Sequence, residues 1–452
     1  MTRAAMTWTA LGVLLFFTMG AGSSLIPPDL KAWYDQKEYQ KVLDGLSKLS
    51  QDTQALPDVR RLKVQTLVKL GNPQEALAEY EKVEAGLGQD DVPLLRQVAL
   101  GFILVLLKDM REQMRGAAYT ALKEIDSDEV VPYFEDGLSD GSGPVRVLAV
   151  EGLARSETGR KSKKLRNALE DQAGVVKARA VKALGKSGDR SVLPLIEAAA
   201  KDELATVRIA AWGALIRLGR TEAWEHLRKA GEAANPEERA EALRTMADLM
   251  DMRAVPLLHS LLNYNQPSVR AAAARGLGHL HKHEAREDIE KLLEDPVGPV
   301  RESAAAALAD LGAKESVAAL TRKLSDSAFS VRAAAGAALL QLSQPFDSVA
   351  PTMLALAQQN DPAARSSAAL ALSKATKTNR AGAVAVLTGL ATDPLPGPRI
   401  VALRSLGRIG DQSVVPDLKA GLHDQNEAAK ATAAGALLHI LPAAHLGANR
   451  RP

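Results

Sequence analysis

The chain contains no cysteine. A disulfide framework, a cysteine nucleophile, thiolate-bound zinc and lipidation on cysteine are therefore excluded. Aromatic residues make up only 4% of the 452, so the core must be filled by Ala, Leu and Val, which suits closely packed helices. Neither sign of charge dominates: 57 basic residues stand against 54 acidic ones, a net charge of +3. That is too little to argue for nucleic acid by itself. There is no P-loop, no dinucleotide-binding glycine fingerprint and no Gly-x-Ser-x-Gly elbow. With 46% hydrophobic and 25% charged residues the chain is globular. It is too long for one compact core and comfortable for an elongated array.

The N-terminus reads as a targeting segment. Arg3 supplies a basic start, residues 8–19 are apolar, and small residues from Gly20 to Ser24 follow. This is the layout of a cleaved secretory signal over residues 1–24, with an uncleaved membrane anchor as the alternative. The expected location is periplasmic or secreted. A second apolar run, 98–107, is shorter and reads as a buried helix.

Self-similarity decides the fold. The segments "DELATVRIAAWGALIRLG" from Asp202, "DPVGPVRESAAAALADLG" from Asp295 and "DSAFSVRAAAGAALLQLS" from Asp326 share one pattern. Asp is followed six residues later by Arg, then by Ala at +3 and Leu at +7 from the Arg. The basic residue recurs at Arg115, Arg146, Lys177, Arg208, Arg239, Arg270, Arg301, Arg332, Arg365, Arg399 and Lys430, at intervals of 31, with 33 and 34 once each. Positions +3, +7 and +10 share one helix face. Gly188, Gly219 and Gly312 close their helices. A second helix precedes each Asp, as in "SVLPLIEAAA" from Ser191. Each unit is two antiparallel helices that cannot bury their faces alone, so stacked neighbours supply the core.

This pattern resembles HEAT repeats, and more narrowly the short HEAT-like repeats of phycobilin lyases and deoxyhypusine hydroxylases. The resemblance spans residues 109–441 and about eleven repeats. It implies an all-α fold, a right-handed alpha-alpha superhelix (an armadillo/HEAT-like α-solenoid) of antiparallel helix pairs. It also implies a structural ladder from the Asp and Arg columns, carried here by Asp140/Arg146, Asp202/Arg208, Asp295/Arg301 and Asp326/Arg332. The pattern breaks at 235–239, where the Asp and Val are missing, and the spacing lengthens after Arg332. Residues 28–108 are helical but different. "VQTLVKLGNPQEALAEYEKV" from Val64 resembles a tetratricopeptide repeat, with Gly71, Ala76 and Tyr80 at fitting positions, and reads as a cap on the same solenoid. Residues 442–452 read as a frayed tail.

The hydroxylase resemblance implies iron held by His-Glu pairs just after the repeat arginine. Here none of the eleven residues after the basic position, from Gly116 to Ala431, is histidine. The one His-Glu pair, His283–Glu284, falls between units. His279, His281 and His283 form a run able to bind a transition metal, or simply an exposed helix end. The cluster "RKSKKLR" from Arg160 is a basic loop. No catalytic residue, metal or cofactor is expected.

The best functional clue is a ridge. Column +9, from Glu124 to His439, is polar in all eleven units. With +5 one turn away it marks the solvent side of the second helix, which in such superhelices lines the concave surface. Arg155, Lys182, Lys186, Arg217, Arg244 and Arg275 make a basic strip across consecutive units. The expectation is a non-catalytic scaffold that binds a protein partner on its concave surface, where a basic strip favours an acidic one, without nucleic acid and without a membrane span after signal cleavage. The rivals are a phycobilin-lyase-like or other HEAT-type enzyme or subunit, and an anionic-polymer binder.

Overall fold

The computed structural model describes residues 26–442; residues 1–24, read from the sequence as a secretory signal, and nearly all of the 442–452 tail lie outside them. Among the described residues there are twenty-eight α-helices and no strand. The architecture is an all-α solenoid: a long inner helix in each repeat, and a shorter outer one that enters, in most units, through a 3-10 turn. Each inner helix is named here by its basic residue: the Arg146 helix is Gly143–Leu153, the Lys177 helix Gly174–Gly185, the Arg208 helix Ala205–Arg217 and the Arg239 helix Pro236–Asp248.

The sequence columns explain the packing. Alanine at +3 is fully buried in every unit, from Ala118 to Ala433, and the +7 residue, for example Leu153, Leu277 and Leu437, is buried with it. A methyl group at +3 lets neighbouring helices approach, and each buried +7 side chain contributes roughly 2 kcal/mol of apolar burial. Glycine at +8 brings the inner layer closer still. A Cβ on Gly185, Gly278 or Gly407 would lie within 2.9 Å of the Cα of Ala214, Ala307 or Ala436 in the next repeat. An inner layer packed more tightly than the outer one bends the stack toward its inner side at every step.

That bend closes the array. The Lys430 helix, Glu427–Ile440, packs against Val92–Leu104 and against the Arg115 helix, Glu112–Leu122. The expectation of an elongated array is thus corrected: eleven inner helices run in a ring whose first and last members touch. At about 10 Å between neighbouring helices, and about 5 Å of helix radius, the ring has a lumen on the order of 25 Å.

The seam has its own chemistry. Gly435 sits against the Ala121 backbone, where a Cβ would be 2.8 Å from the carbonyl oxygen. Arg96 donates to the carbonyls of Leu438 and Leu441 at 3.0 and 2.8 Å, capping the last helix. Lys419 reaches Glu84 at 2.5 Å and Asp90 at 2.8 Å, His423 meets Glu81 at 2.7 Å, and Arg408 meets Glu124 at 2.9 Å. The 98–107 run is mostly buried at this junction, and among the described residues no helix is long and apolar enough to cross a membrane.

Residues before the ring form antiparallel helix pairs. Pro28–Asp35 packs on Tyr39–Ser47 and Pro57–Lys69 packs on Pro73–Leu87. A small separate core of Leu30, Val42, Leu46, Val59 and Leu62 holds the first of these.

Candidate functional site

The Asp and Arg columns meet one repeat out of step with the in-unit pairs named from the sequence. Arg146 donates through Nε and Nη2 to the carboxylate of Asp171, 25 residues on, at 2.6 and 2.8 Å. Its Nη1 donates to the Asp140 carbonyl of its own repeat at 2.9 Å. Asp140 in turn takes Arg115 at 2.7 and 2.9 Å and accepts the Ser142 amide at 2.8 Å. Each Asp therefore shapes the turn before its own helix and receives the previous repeat's cation. The same arrangement joins Lys177 to Asp202, Arg270 to Asp295, Arg301 to Asp326, Arg365 to Asp393 and Arg399 to Asp424. The Arg146 guanidinium holds the Asp171 carboxyl below its ordinary range. For Asp295 burial pushes upward, but Arg270 and the Val297 amide outweigh it and the net shift is downward.

The ladder breaks where the sequence loses its Asp. The residue 25 after Arg208 is Ala233, and Arg208 bonds only the carbonyls of Asp202 and Glu203, at 2.9 and 2.7 Å. Arg332 bonds only the carbonyls of Asp326 and Ser327. Arg239 finds Tyr264 at the acceptor position and lies 4.3 Å over its ring. At the seam both rung groups are present yet neither crosses: Asp109 is taken by Arg111 at 2.8 Å and Lys430 by Glu427 at 3.0 Å.

Side chains that skip a repeat locate the concave wall. Lys182 pairs with Asp248 across the intervening Arg208 helix, and Arg217 donates to the Asp248 carbonyl. Arg408 reaches Glu124 across the Lys430 helix in the same way. Only converging side chains on the inside of a curve meet like this. The +5 and +9 columns line three grooves on that wall. The first, of about 410 Å³, includes Lys182, Gly213, Arg217 and Asp248. The second, of about 590 Å³, includes Arg244, Arg275 and His279, and the third, of about 330 Å³, includes Arg275, Gln341 and Lys374.

Of the six strip residues, Lys182 is paired with Asp248 and Arg244 with Glu241 at 2.8 Å. Arg155, Lys186, Arg217 and Arg275 are exposed. Lys186 titrates below its ordinary value, first through partial burial and then through the neighbouring Arg217 and Lys182. Burial likewise lowers Arg217. Sequence reasoning placed Asp248 in the +9 column without weighing it as a counter-charge, and missed Glu241 and the cation Arg179, which share this wall through column +2. Column +2 carried the signal, since it lies on the same face as +5 and +9.

The other candidates separate. His279 lies on the concave wall, His281 occupies a left-handed turn at φ 51° and His283 begins the next 3-10 turn. Among the described residues no group of three or more His, Asp or Glu side chains is arranged to hold a metal. In the Arg160 cluster, Lys161 meets Glu157, Lys164 meets Asp136 and Arg166 meets Asp189.

Residues 162–234, 227–309 and 289–373 match the HEAT repeats family, and 398–424 match the PBS lyase HEAT-like repeat. The chain carries HEAT repeats over these segments. The matched segments lie beyond residues 64–83, where what is seen is a helix pair. No curated protein sequence matches the chain. Similar solved structures include human deoxyhypusine hydroxylase, at 20% identity and a TM-score of 0.31, covering 56% of this chain and 98% of that one. The CpcE–CpcF complex of phycocyanin lyase from Nostoc sp. PCC7120 follows at 21% and 0.33, covering 60% and 92%. A Kap121p mutant stands at 13% and 0.38, covering 89% and 53%. The HEAT solenoid is a fold compatible with a protein-interaction scaffold.

Proposed function

We propose that the chain is an exported, non-catalytic scaffold that holds an acidic protein partner on the concave wall of its ring. The observation that carries this is the state of the charges there. The carboxylates Glu241 and Asp248 are already engaged by Arg244 and Lys182. The side chains of Arg155, Lys186 and Arg275 have no ion-pair or hydrogen-bond partner among the described residues. Free cations on a concave wall favour an acidic partner and raise its association rate. Export is supported by the sequence of residues 1–24 alone, and absence of catalysis by the lack of any recognisable catalytic motif.

The test is the triple change Arg155→Glu, Lys186→Glu and Arg217→Glu. All three side chains are exposed, so the fold should persist while partner capture falls and wild-type binding weakens with salt. Undiminished capture by the triple variant at low salt contradicts the reading. For export, mass spectrometry of fractionated cells should find a mature N-terminus between Ala21 and Pro27; a full-length cytoplasmic main form contradicts it.

A further inference from the structure

The groove of about 410 Å³ over the Arg208 helix brings small, apolar and cationic side chains together. Its floor is made of the small residues Ala210, Gly213 and Ala214, between longer side chains on the Lys177 and Arg239 helices. Gly213 is required: a Cβ there would come within 2.6 Å of the Thr245 methyl. The groove lies where the ladder is broken, since Arg208 has Ala233 in place of an acceptor aspartate. Two large apolar side chains at its edge are left in water, Val175 at 53% exposure and Leu204 at 46%. Opposite them stand Lys182 and Arg217, with Lys186 one turn beyond Lys182. Asp248 pairs with Lys182 through its carboxylate and accepts from Arg217 through its backbone carbonyl. Among the described residues Lys186 and Arg217 make no ion pair of their own. An apolar end and a cationic end of one groove, 11 to 13 helical residues or about 16–20 Å apart, over a small-residue floor suit an extended segment with apolar groups toward one end and an anion toward the other.

We infer that this groove binds a peptide segment of the partner in which carboxylates alternate with apolar side chains, the carboxylate on Lys186 and Arg217 and the apolar group against Val175 and Leu204. The inference rests on the concave-wall reading and deepens it by naming the segment and its seat. A peptide fits the charge balance, because its carboxylate supplies the missing anion without displacing Asp248 from Lys182. The volume lies within the range of sites that enclose a few side chains, about 300–1,000 Å³.

The experiment is calorimetric titration of the full chain with the acetylated, amidated pentapeptide Leu-Glu-Leu-Glu-Leu, with versions carrying Lys for Glu or Ser for Leu, and with decanoate. The first pentapeptide should bind and the other two should not. Lys186→Glu with Arg217→Glu should weaken it by about tenfold or more, as loss of two charge-assisted contacts requires. Val175→Asn with Leu204→Asn should weaken it severalfold with the cations intact, and Lys229→Glu, exposed on the outer helix Trp224–Ala230, should change nothing. Urea midpoints of all variants should match wild type, since every replaced side chain is exposed. Equal binding of the Ser version, or affinity that survives both double changes, overturns the inference. Binding of decanoate without the peptide overturns it too, making the groove a site for free amphipathic acids. If the peptide fails while the triple reversal still abolishes capture of the native partner, the groove assignment falls and the concave-wall reading stands.

Discussion

Removing one rung of the ladder gives a prediction with a built-in comparison. In Arg146→Ala the Asp171 carboxylate loses both guanidinium bonds, at 2.6 and 2.8 Å, and keeps only the Ala173 amide at 2.8 Å. The two side chains are 8% and 9% exposed, so water replaces the lost partner poorly. Removing one member of such a buried pair costs about 3–5 kcal/mol, and the surviving amide bond places this case near the lower end, about 3 kcal/mol. Arg208→Ala provides the contrast. Among the described residues Arg208 bonds two carbonyls, one of them exposed, and makes no ion pair, so its loss should cost about 1 kcal/mol. Urea unfolding followed by far-ultraviolet circular dichroism measures both. Arg146→Ala should be the more damaging by about 2 kcal/mol, and Asp171→Ala should add little on top of it, because the pair acts as one unit. Equal costs for the two arginines, or additive costs for Arg146 and Asp171, refute the ladder as described.

Three further outcomes follow from the same contacts. The acceptors Asp140, Asp171, Asp202, Asp295, Asp326, Asp393 and Asp424 all titrate below their ordinary value. Their contribution is therefore complete above the unfolded pKa of about 3.9 and lost as pH falls through the lower folded values; melting temperature should hold between about pH 5 and 7 and drop below about 4, and a flat profile down to pH 2 contradicts this. Gly435→Val places side-chain atoms against the Ala121 carbonyl at the seam, so it should enlarge the hydrodynamic radius with helix content retained; an unchanged radius contradicts the close approach. Gly389→Ala, where a Cβ meets nothing within 4 Å, should leave the radius unchanged and stabilise slightly, by up to about 1 kcal/mol.

The repeat was legible because its physics is local. Alanine at +3 and leucine at +7 in eleven units specify an inner helix and its buried face without any long-range information. The partner of each rung was less so. Asp140 and Arg146 are six residues apart in one motif, yet the carboxylate of Asp140 serves Arg115, and only the superposition of one repeat on the next reveals that. The break at 235–239 and the longer spacing after Arg332 were visible as irregularities; that Arg239 stacks on Tyr264, and that a groove opens over the small residues of the Arg208 helix, were not. Closure was not legible at all. It accumulates from small bends set by Gly185, Gly278 and Gly407, and it is fixed by pairs such as Arg96 with Leu441, 345 residues apart. On the candidate wall the cations were readable from columns +5 and +9; the Glu241–Arg244 pair is local, three residues apart on one helix, whereas neutralisation of Lys182 by Asp248 depends on how sharply the ring curves.

The central claim is that the solenoid closes on itself. Because the chain has no cysteine, Glu81→Cys with His423→Cys admits two spin labels and no others. These side chains are 44% and 56% exposed and meet at 2.7 Å across the seam, so replacing them costs little. Double electron–electron resonance should give a single short distance, within about 20 Å, as neighbouring helices in a closed ring require. A distribution centred on the order of 50 Å or more, as eleven repeats spaced at about 10 Å in an open superhelix would produce, contradicts the ring.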